Sequence, residues 1–115
     1  MHEMGIATQL VEIAISSIPD DMEGVHIEAV NVEVGKLSSI VPDSLSFCFD
    51  IAVKDTVIDG AKLNIKQLPV TALCKECHHT FTMDEPLFLC PECKCSSIDL
   101  LSGRELDIIS MDVAQ

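Results

Sequence analysis

The sequence predicts an α+β fold in which two helices cover a small three-stranded sheet, with a cysteine-rich zinc-ribbon module inserted before the last strand. Three observations carry this prediction: two segments with apolar residues at helical spacing, stretches that alternate with a period of two, and five of six cysteines gathered between positions 74 and 95. At 115 residues the chain has room for one compact domain, or for a core module with a small metal-stapled appendage, and a multidomain enzyme is excluded. Hydrophobic residues make up 48% of the chain but aromatics only 3%, all of them Phe, so the core is expected to be aliphatic.

From Met4 to Ile18 the residues Met4, Ala7, Leu10, Val11, Ala14 and Ile18 follow the i, i+3, i+4 rhythm of a buried helix face, which Pro19 ends. After a turn through Asp20–Gly24, Val30, Val32 and Val34 alternate with Asn31 and Glu33 as a half-buried strand does, up to Gly35. Asp43 is the expected cap of a second helix, which runs to about Lys54 with Leu45, Cys48, Phe49 and Ala52 on one face. Asp59-Gly60 turns the chain into a second strand, where Ala61, Leu63 and Ile65 alternate with Lys62, Asn64 and Lys66 until Pro69. Residues 70–101 lose sustained periodicity and read as an insert. Past Gly103 the β-branched stretch Glu105–Val113 supplies a third strand to the first sheet. The main module is therefore discontinuous, comprising residues 1–69 and 102–115, with the insert at 70–101.

Nineteen acidic residues against seven basic ones give a formal charge of −12, a field that repels phosphate backbones and argues against nucleic acid as a partner. The beginning of the chain is acidic where a secretory signal is basic, and no apolar run approaches the 18 or so residues of a membrane span. A cytoplasmic protein with no membrane partner is expected. In that compartment six cysteines point to metal or redox chemistry rather than to disulfides.

Cys74-Lys75-Glu76-Cys77 and Cys90-Pro91-Glu92-Cys93 are two Cys-x-x-Cys units separated by 12 residues, the spacing of a zinc ribbon. Each unit can fold into a tight knuckle with two thiolates on one side, and two knuckles complete a tetrahedral sulfur site without an open position. Such a site is structural, and its binding energy is largely the folding energy of the insert. Iron in a rubredoxin-like site competes with this reading. Thioredoxin-like redox chemistry places its Cys-x-x-Cys at a helix start within a β-α-β pattern, which is missing around Cys74. Cys95 reads either as a substitute ligand or as a turn residue beside the second knuckle, and the adjacent His78 and His79 either as extra donors or as a polar loop. Cys48 reads as a small core residue.

Met1-His2-Glu3 offers donors that an internal segment lacks. The α-amine of Met1, the amide nitrogen of His2 and its imidazole Nδ1 close adjacent chelate rings in one plane, a set that suits Ni(II) or Cu(II) and suits zinc poorly. A fourth position stays open to Glu3, another histidine or a partner's ligand. Protons compete for the amine, with a pKa of about 7.7 to 8.0, and for imidazole near about 6.5, so mild acid weakens capture. The competing reading is an exposed chain end with Glu3 as a favourable charge in the first helical turn.

The initiating Met1-His2-Glu3 and the late pair of Cys-x-x-Cys units together resemble the HypA/HybF family of hydrogenase nickel-incorporation proteins. The resemblance extends through Val30-Asn31-Val32-Glu33-Val34-Gly35, Pro42-Asp43-Ser44-Leu45-Ser46-Phe47 and Gly103-Arg104-Glu105-Leu106, and so covers essentially the whole chain. It implies that Met1, His2 and Glu3 bind nickel as cargo and that Cys74, Cys77, Cys90 and Cys93 bind zinc. It further implies a nickel domain of two helices on a three-stranded sheet, interrupted by a zinc domain. The partners implied are a HypB-type GTPase and the large-subunit precursor of nickel-iron hydrogenase, with urease accessory proteins as a further set. Cys95 and the His78-His79 pair depart from the family pattern. On this reading the protein is a metallochaperone with no catalytic residues, and the sequence leaves its state as monomer or homodimer open. The alternative is a zinc-ribbon adaptor between proteins, for which residues 74–93 suffice and the amino terminus is incidental.

Overall fold

A computed structural model describes residues 3–22, 24–83 and 88–114. Helix α1 spans Glu3–Ser16 and buries Ala7, Leu10, Val11 and Ala14, the stripe expected of a helix covering a sheet. Its two flanking positions differ from expectation: Met4 is exposed and Ile18 lies beyond the helix. The helix ends at Ser16 because the hydroxyls of Ser16 and Ser17 donate to the carbonyl of Ile13 at 3.0 and 2.7 Å, satisfying a terminal acceptor locally before Pro19 is reached.

Strand β1, Ile27–Gly35, begins earlier than the Val30–Val34 alternation suggests, and Ile27, Ala29, Val30, Val32 and Val34 are all buried. Helix α2 covers Pro42–Ala52, with Leu45 and Phe49 fully buried, and it packs against α1. Asp43 is not its cap. Val41 occupies that position in extended conformation and provides no side-chain acceptor, while Pro42 takes the first helical turn, where its missing N–H matters least. Strand β2, Lys62–Leu68, turns Leu63 into the core. It forms with β1 and β6, Leu106–Val113, a sheet of order β2-β1-β6.

The His26 carbonyl accepts from the Ala114 amide, while Asn31, further along β1, donates through Nδ2 to Ser110 Oγ at 3.0 Å and Asp112 Oδ1 at 3.1 Å. This register runs β1 and β6 antiparallel. Asn64 Nδ2 donates to Asn31 Oδ1 at 2.9 Å, so a polar ladder crosses all three strands on the face opposite the buried valines. None of the β6 residues is fully buried: a strand at the sheet edge is covered from one side only, and Asp107 and Asp112 guard it against pairing with another chain.

A second sheet has order β4-β3-β5, with β3 at Val70–Cys74, β4 at Thr80–Met83 and β5 at Ile98–Ser102, both neighbours antiparallel to β3. Val70, Ala72 and Cys74 point inward with Phe81, Met83 and Cys90, and Leu37, Cys95, Ile98 and Leu100 pack around them. By its contacts the chain forms two compact units, one of Met1–Glu33, Ile40–Lys66 and Asp107–Gln115, the other of Val34–Ser39 and Gln67–Leu106.

Candidate metal centre

The two Cys-x-x-Cys units fold into knuckles with the same internal hydrogen bonds. In the first, at the end of β3, the Cys74 amide donates to the His79 carbonyl at 2.9 Å and the His78 amide donates to the Cys74 carbonyl at 2.9 Å. In the second, the Cys90 amide donates to the Cys95 carbonyl at 3.0 Å and the Lys94 amide to the Cys90 carbonyl at 2.9 Å. His78 and Lys94, at equivalent places, both adopt left-handed backbone with φ of 62° and 63°. Non-glycine residues hold this conformation at a cost of about 1 kcal/mol or more each. Its repetition in both knuckles shows what it achieves: it turns the chain sharply enough that two sulfurs face the same point.

The four sulfurs converge. Cys74 Sγ lies 3.5 Å from Cys93 Sγ and Cys77 Sγ 3.6 Å from Cys90 Sγ, and all four lie within 4.8 Å of one another. A tetrahedral ion with metal–sulfur bonds of about 2.3 Å places its sulfurs about 3.8 Å apart, so the cluster needs only small adjustments to close around zinc. Cys74 and Cys90 are buried and Cys77 and Cys93 face solvent, an arrangement in which each knuckle contributes one inner and one outer ligand. The donor set is all thiol and saturated at four, which fits a structural d10 cation.

Electrostatics among the thiols favour capture of a cation. The Cys77 amide donates to Cys74 Sγ at 3.5 Å, and this bond, against the opposing effect of burial, brings the Cys74 thiol down to about 7. The Cys95 amide acts in the same sense on Cys93, but the neighbouring thiols, Cys74 foremost, and desolvation outweigh it and push Cys93 up to about 12. For Cys77 the His79 amide is the largest influence and lowers the pKa, yet burial and the sulfurs of Cys90 and Cys74 raise it overall. Crowded sulfurs cannot all ionise without a cation between them. At neutral pH, metal entry therefore expels the thiol protons of Cys77 and Cys93, a release expected in calorimetric titrations of the metal-free protein with zinc compared across buffers of different ionisation enthalpy.

The remaining donors nearby stay out of the cluster. Among the described residues the group of convergent ligand atoms contains neither histidine and not Cys95. The His79 ring stacks on Phe81 with centroids 6.1 Å apart and its Nε2 lies 4.0 Å from Glu92 Oε1. Cys95 Sγ accepts from the Ser97 amide at 3.3 Å. Cys95 and His79 occupy matching positions in the two knuckles, each giving its carbonyl to the first cysteine amide, so a turn role accounts for both. Cys48 is half-buried on α2.

The HypA family model, described as hydrogenase/urease nickel incorporation, metallochaperone, matches residues 1–113. The chain belongs to this family. It is 50% identical to the hydrogenase maturation factor HypA of Desulfosudis oleivorans over 115 residues, covering all of both chains. It is also 50% identical to the same factor of Desulfatibacillum aliphaticivorans over 114 residues, covering 99% of this chain and 88% of the relative. The solution structure of the Ni metallochaperone HypA from Helicobacter pylori shares the fold, with a TM-score of 0.69 at 22% identity over 98% of this chain and 97% of that one. The family is one of hydrogenase maturation factors and metallochaperones.

In this HypA-family chain Met1 and His2 lie outside the described residues. Glu3, the third residue expected to serve nickel, opens α1 and is half-buried. Its Oε2 accepts from the Val41 amide at 3.4 Å. Reading the sequence alone did not show this partner, because 38 positions separate the two residues and only the packing of α1 beside α2 unites them. The β3 strand was legible in hindsight: Val70, Ala72 and Cys74 alternate with Thr71 and Leu73, but the cysteines that follow dominate the segment.

Proposed function

We propose that this chain is a nickel metallochaperone that takes up Ni(II) at its amino terminus and delivers it to the large-subunit precursor of nickel-iron hydrogenase, working with a HypB-type GTPase in the cytoplasm. The observation that carries this reading is the match to the nickel-incorporation family across residues 1–113. Urease accessory proteins are a further set of recipients. Residues 1–69 and 102–115 form the nickel-binding domain and 70–101 the zinc domain.

Nickel, as cargo, is held by the amine of Met1, the amide nitrogen and Nδ1 of His2, and Glu3. An open coordination edge lets an acceptor ligand enter before the first donors leave. Transfer runs toward a tighter acceptor or is coupled to the partner's nucleotide cycle. Affinity alone favours Cu(II) over Ni(II) at nitrogen donors, so supply and partner contact decide the metal. Cys74, Cys77, Cys90 and Cys93 hold zinc, which supplies a structural cross-link between the two knuckles and no chemistry of its own.

The test is titration of untagged protein bearing its native Met1 with Ni(II), followed by calorimetry and absorption, with zinc quantified in parallel. One nickel in a diamagnetic planar site is expected, with His2→Ala weakening binding at least about 100-fold and zinc content unchanged. Nickel binding that survives His2→Ala, or that displaces zinc from the cysteines, sinks the amino-terminal site and leaves a zinc-ribbon adaptor as the better reading.

A further inference from the structure

Where α1 ends, the first unit holds a cleft of about 640 Å³, a volume within the range of about 300 to 1,000 Å³ typical of recognition pockets. Ile15, Ile18, Val25 and Val57 line it, with the exposed Asp20 and His26 beside them. Both walls are pinned. On one side the Ile18 amide donates to the Ile15 carbonyl at 3.2 Å, and the chain then turns through bonds from the Met22 amide to the Pro19 carbonyl at 2.9 Å and from the Val25 amide to the Met22 carbonyl at 3.1 Å. On the other, Val57 rides on a turn anchored from within by the buried Val53, Ile58 and Ala61. The Thr56 hydroxyl donates to the Val53 carbonyl at 2.6 Å and accepts from the Ile58 amide at 3.2 Å, and the Asp59 carboxylate accepts from the Asp55 amide at 3.1 Å. Val57 is nevertheless 70% exposed. A branched apolar side chain held in water by a rigid turn forgoes the burial that folding usually gives it, and a preformed wall costs a partner little ordering on docking.

The charges around the lining have one sign. Asp20 and Asp21 follow the first wall, and Asp55 and Asp59 stand two positions either side of Val57, all four exposed. Residues 1–35 contain no lysine or arginine, and Lys54 is the only one within 37–61. Helix α1 has no basic residue in its last turn to offset the negative end of its dipole.

We infer that this cleft docks a basic protein segment, which places an apolar side chain such as leucine among Ile15, Ile18, Val25 and Val57 while flanking lysines or arginines meet Asp20 and Asp55. A second copy of this chain suits it poorly, since a net charge of −12 repels its like. A small enclosed ligand suits it poorly as well: among the described residues lining the cleft, Asp20 and His26 carry the polar side chains, and both are exposed. Ile15 lies about 18 Å along the helix axis from Glu3, at a rise of about 1.5 Å per residue. Docking there is separate from the proposed nickel site and stands whether or not that site does.

The probe is a short synthetic peptide with a Leu-Leu pair between lysines, and its control carries glutamines in place of the leucines. Each is titrated into full-length, zinc-loaded protein and followed by residue-resolved amide shifts. The leucine peptide is expected to move the amides of Ile15, Ile18, Val25, His26 and Val57 and to bind at least about tenfold more tightly than the control. Val57→Ser, a change at an exposed position, is expected to weaken it about tenfold with amide exchange in α1 and nickel affinity unaltered. Asp20→Asn combined with Asp55→Asn lowers the affinity and flattens its salt dependence; asparagine tolerates the left-handed φ of 63° at position 55.

No binding of the leucine peptide, equal binding of both peptides, shifts scattered over the surface, or a Val57→Ser variant as competent as wild type each overturns the docking site. So does concentration-dependent dimerisation of the wild-type protein that Val57→Ser abolishes, which seats a second copy in the cleft. The His2→Ala titration addresses the amino-terminal site alone, so either reading can fail without the other.

Discussion

Removing the metal from the four-cysteine cluster, by chelation or by Cys90→Ser, unfolds the β4-β3-β5 sheet while the layer of α1 and α2 over β1 stays folded. The reason lies in what the second unit buries. Its core consists of Val70, Ala72, Cys74, Phe81, Met83 and Cys90, so two of its six buried residues are themselves cluster sulfurs. The four apolar residues that remain cannot offset the entropy of ordering three short strands and two left-handed knuckles. Structural zinc in small modules contributes about 10 to 16 kcal/mol of binding energy that is felt as folding energy, far more than such a core supplies. The first unit, by contrast, has an apolar core running from Ala7 through Val30 and Val32 to Leu45, Phe49 and Ile58. Residue-resolved amide exchange before and after chelation checks this: protection is expected to vanish at 70–74, 80–83 and 98–102 and to persist in α1 and α2. Uniform loss throughout the chain, or persistence throughout, counts against an independent metal-dependent unit.

Gly35→Ala lowers stability by more than about 3 kcal/mol and the melting temperature by more than about 10 °C. Gly35 sits in ordinary extended backbone, with φ of −75° and ψ of 146°, so its conformation alone does not call for glycine. Space does: a Cβ there overlaps the carbonyl group of Gly103 and the nitrogen of Arg104, backbone atoms that cannot swing aside. Two hydrogen bonds hold them in place, from the Gly35 amide to the Glu105 carbonyl at 2.8 Å and from the Leu37 amide to the Gly103 carbonyl at 2.7 Å. An alanine must break this pairing or carry the overlap. Gly103 is constrained differently, by φ of 125° and by Val70 Cγ2 only 3.1 Å from an added Cβ. Gly5→Ala is the control: nothing lies within 4 Å of its Cβ position, and in an exposed helix alanine adds up to about 1 kcal/mol. Urea melts of the three proteins decide the matter, and a Gly35→Ala variant as stable as wild type removes the steric argument.

Both helices, the strands β1, β2 and β6 and the metal knuckles were legible in the chain because each announces itself over a short range. Ala7, Leu10, Val11 and Ala14 repeat at the helical period, Val30, Val32 and Val34 at the strand period, and the cysteine pairs at a spacing that a single loop enforces. What escaped was set by neighbours distant in sequence. Asp43 satisfies every local criterion for a cap, yet Val41 takes the position because Pro42 opens the helix one residue before Asp43. Met4 fits the apolar stripe of α1, yet it is exposed, since periodicity marks a face and not how far the packing beneath it extends.

By itself, then, the sequence determined the class of fold, the four cysteines that converge and the family. These are properties of spacing and residue chemistry, written along contiguous stretches of chain. The tertiary structure alone decided that a glycine in relaxed backbone is indispensable for space at Gly35, that His79 and Cys95 stand as equivalent turn residues outside the sulfur cluster, and that Glu3 belongs to the start of α2 as well as to its own helix. Each of these depends on which atoms from remote segments come within a few ångströms, and that is fixed by packing, whose outcome no local pattern encodes.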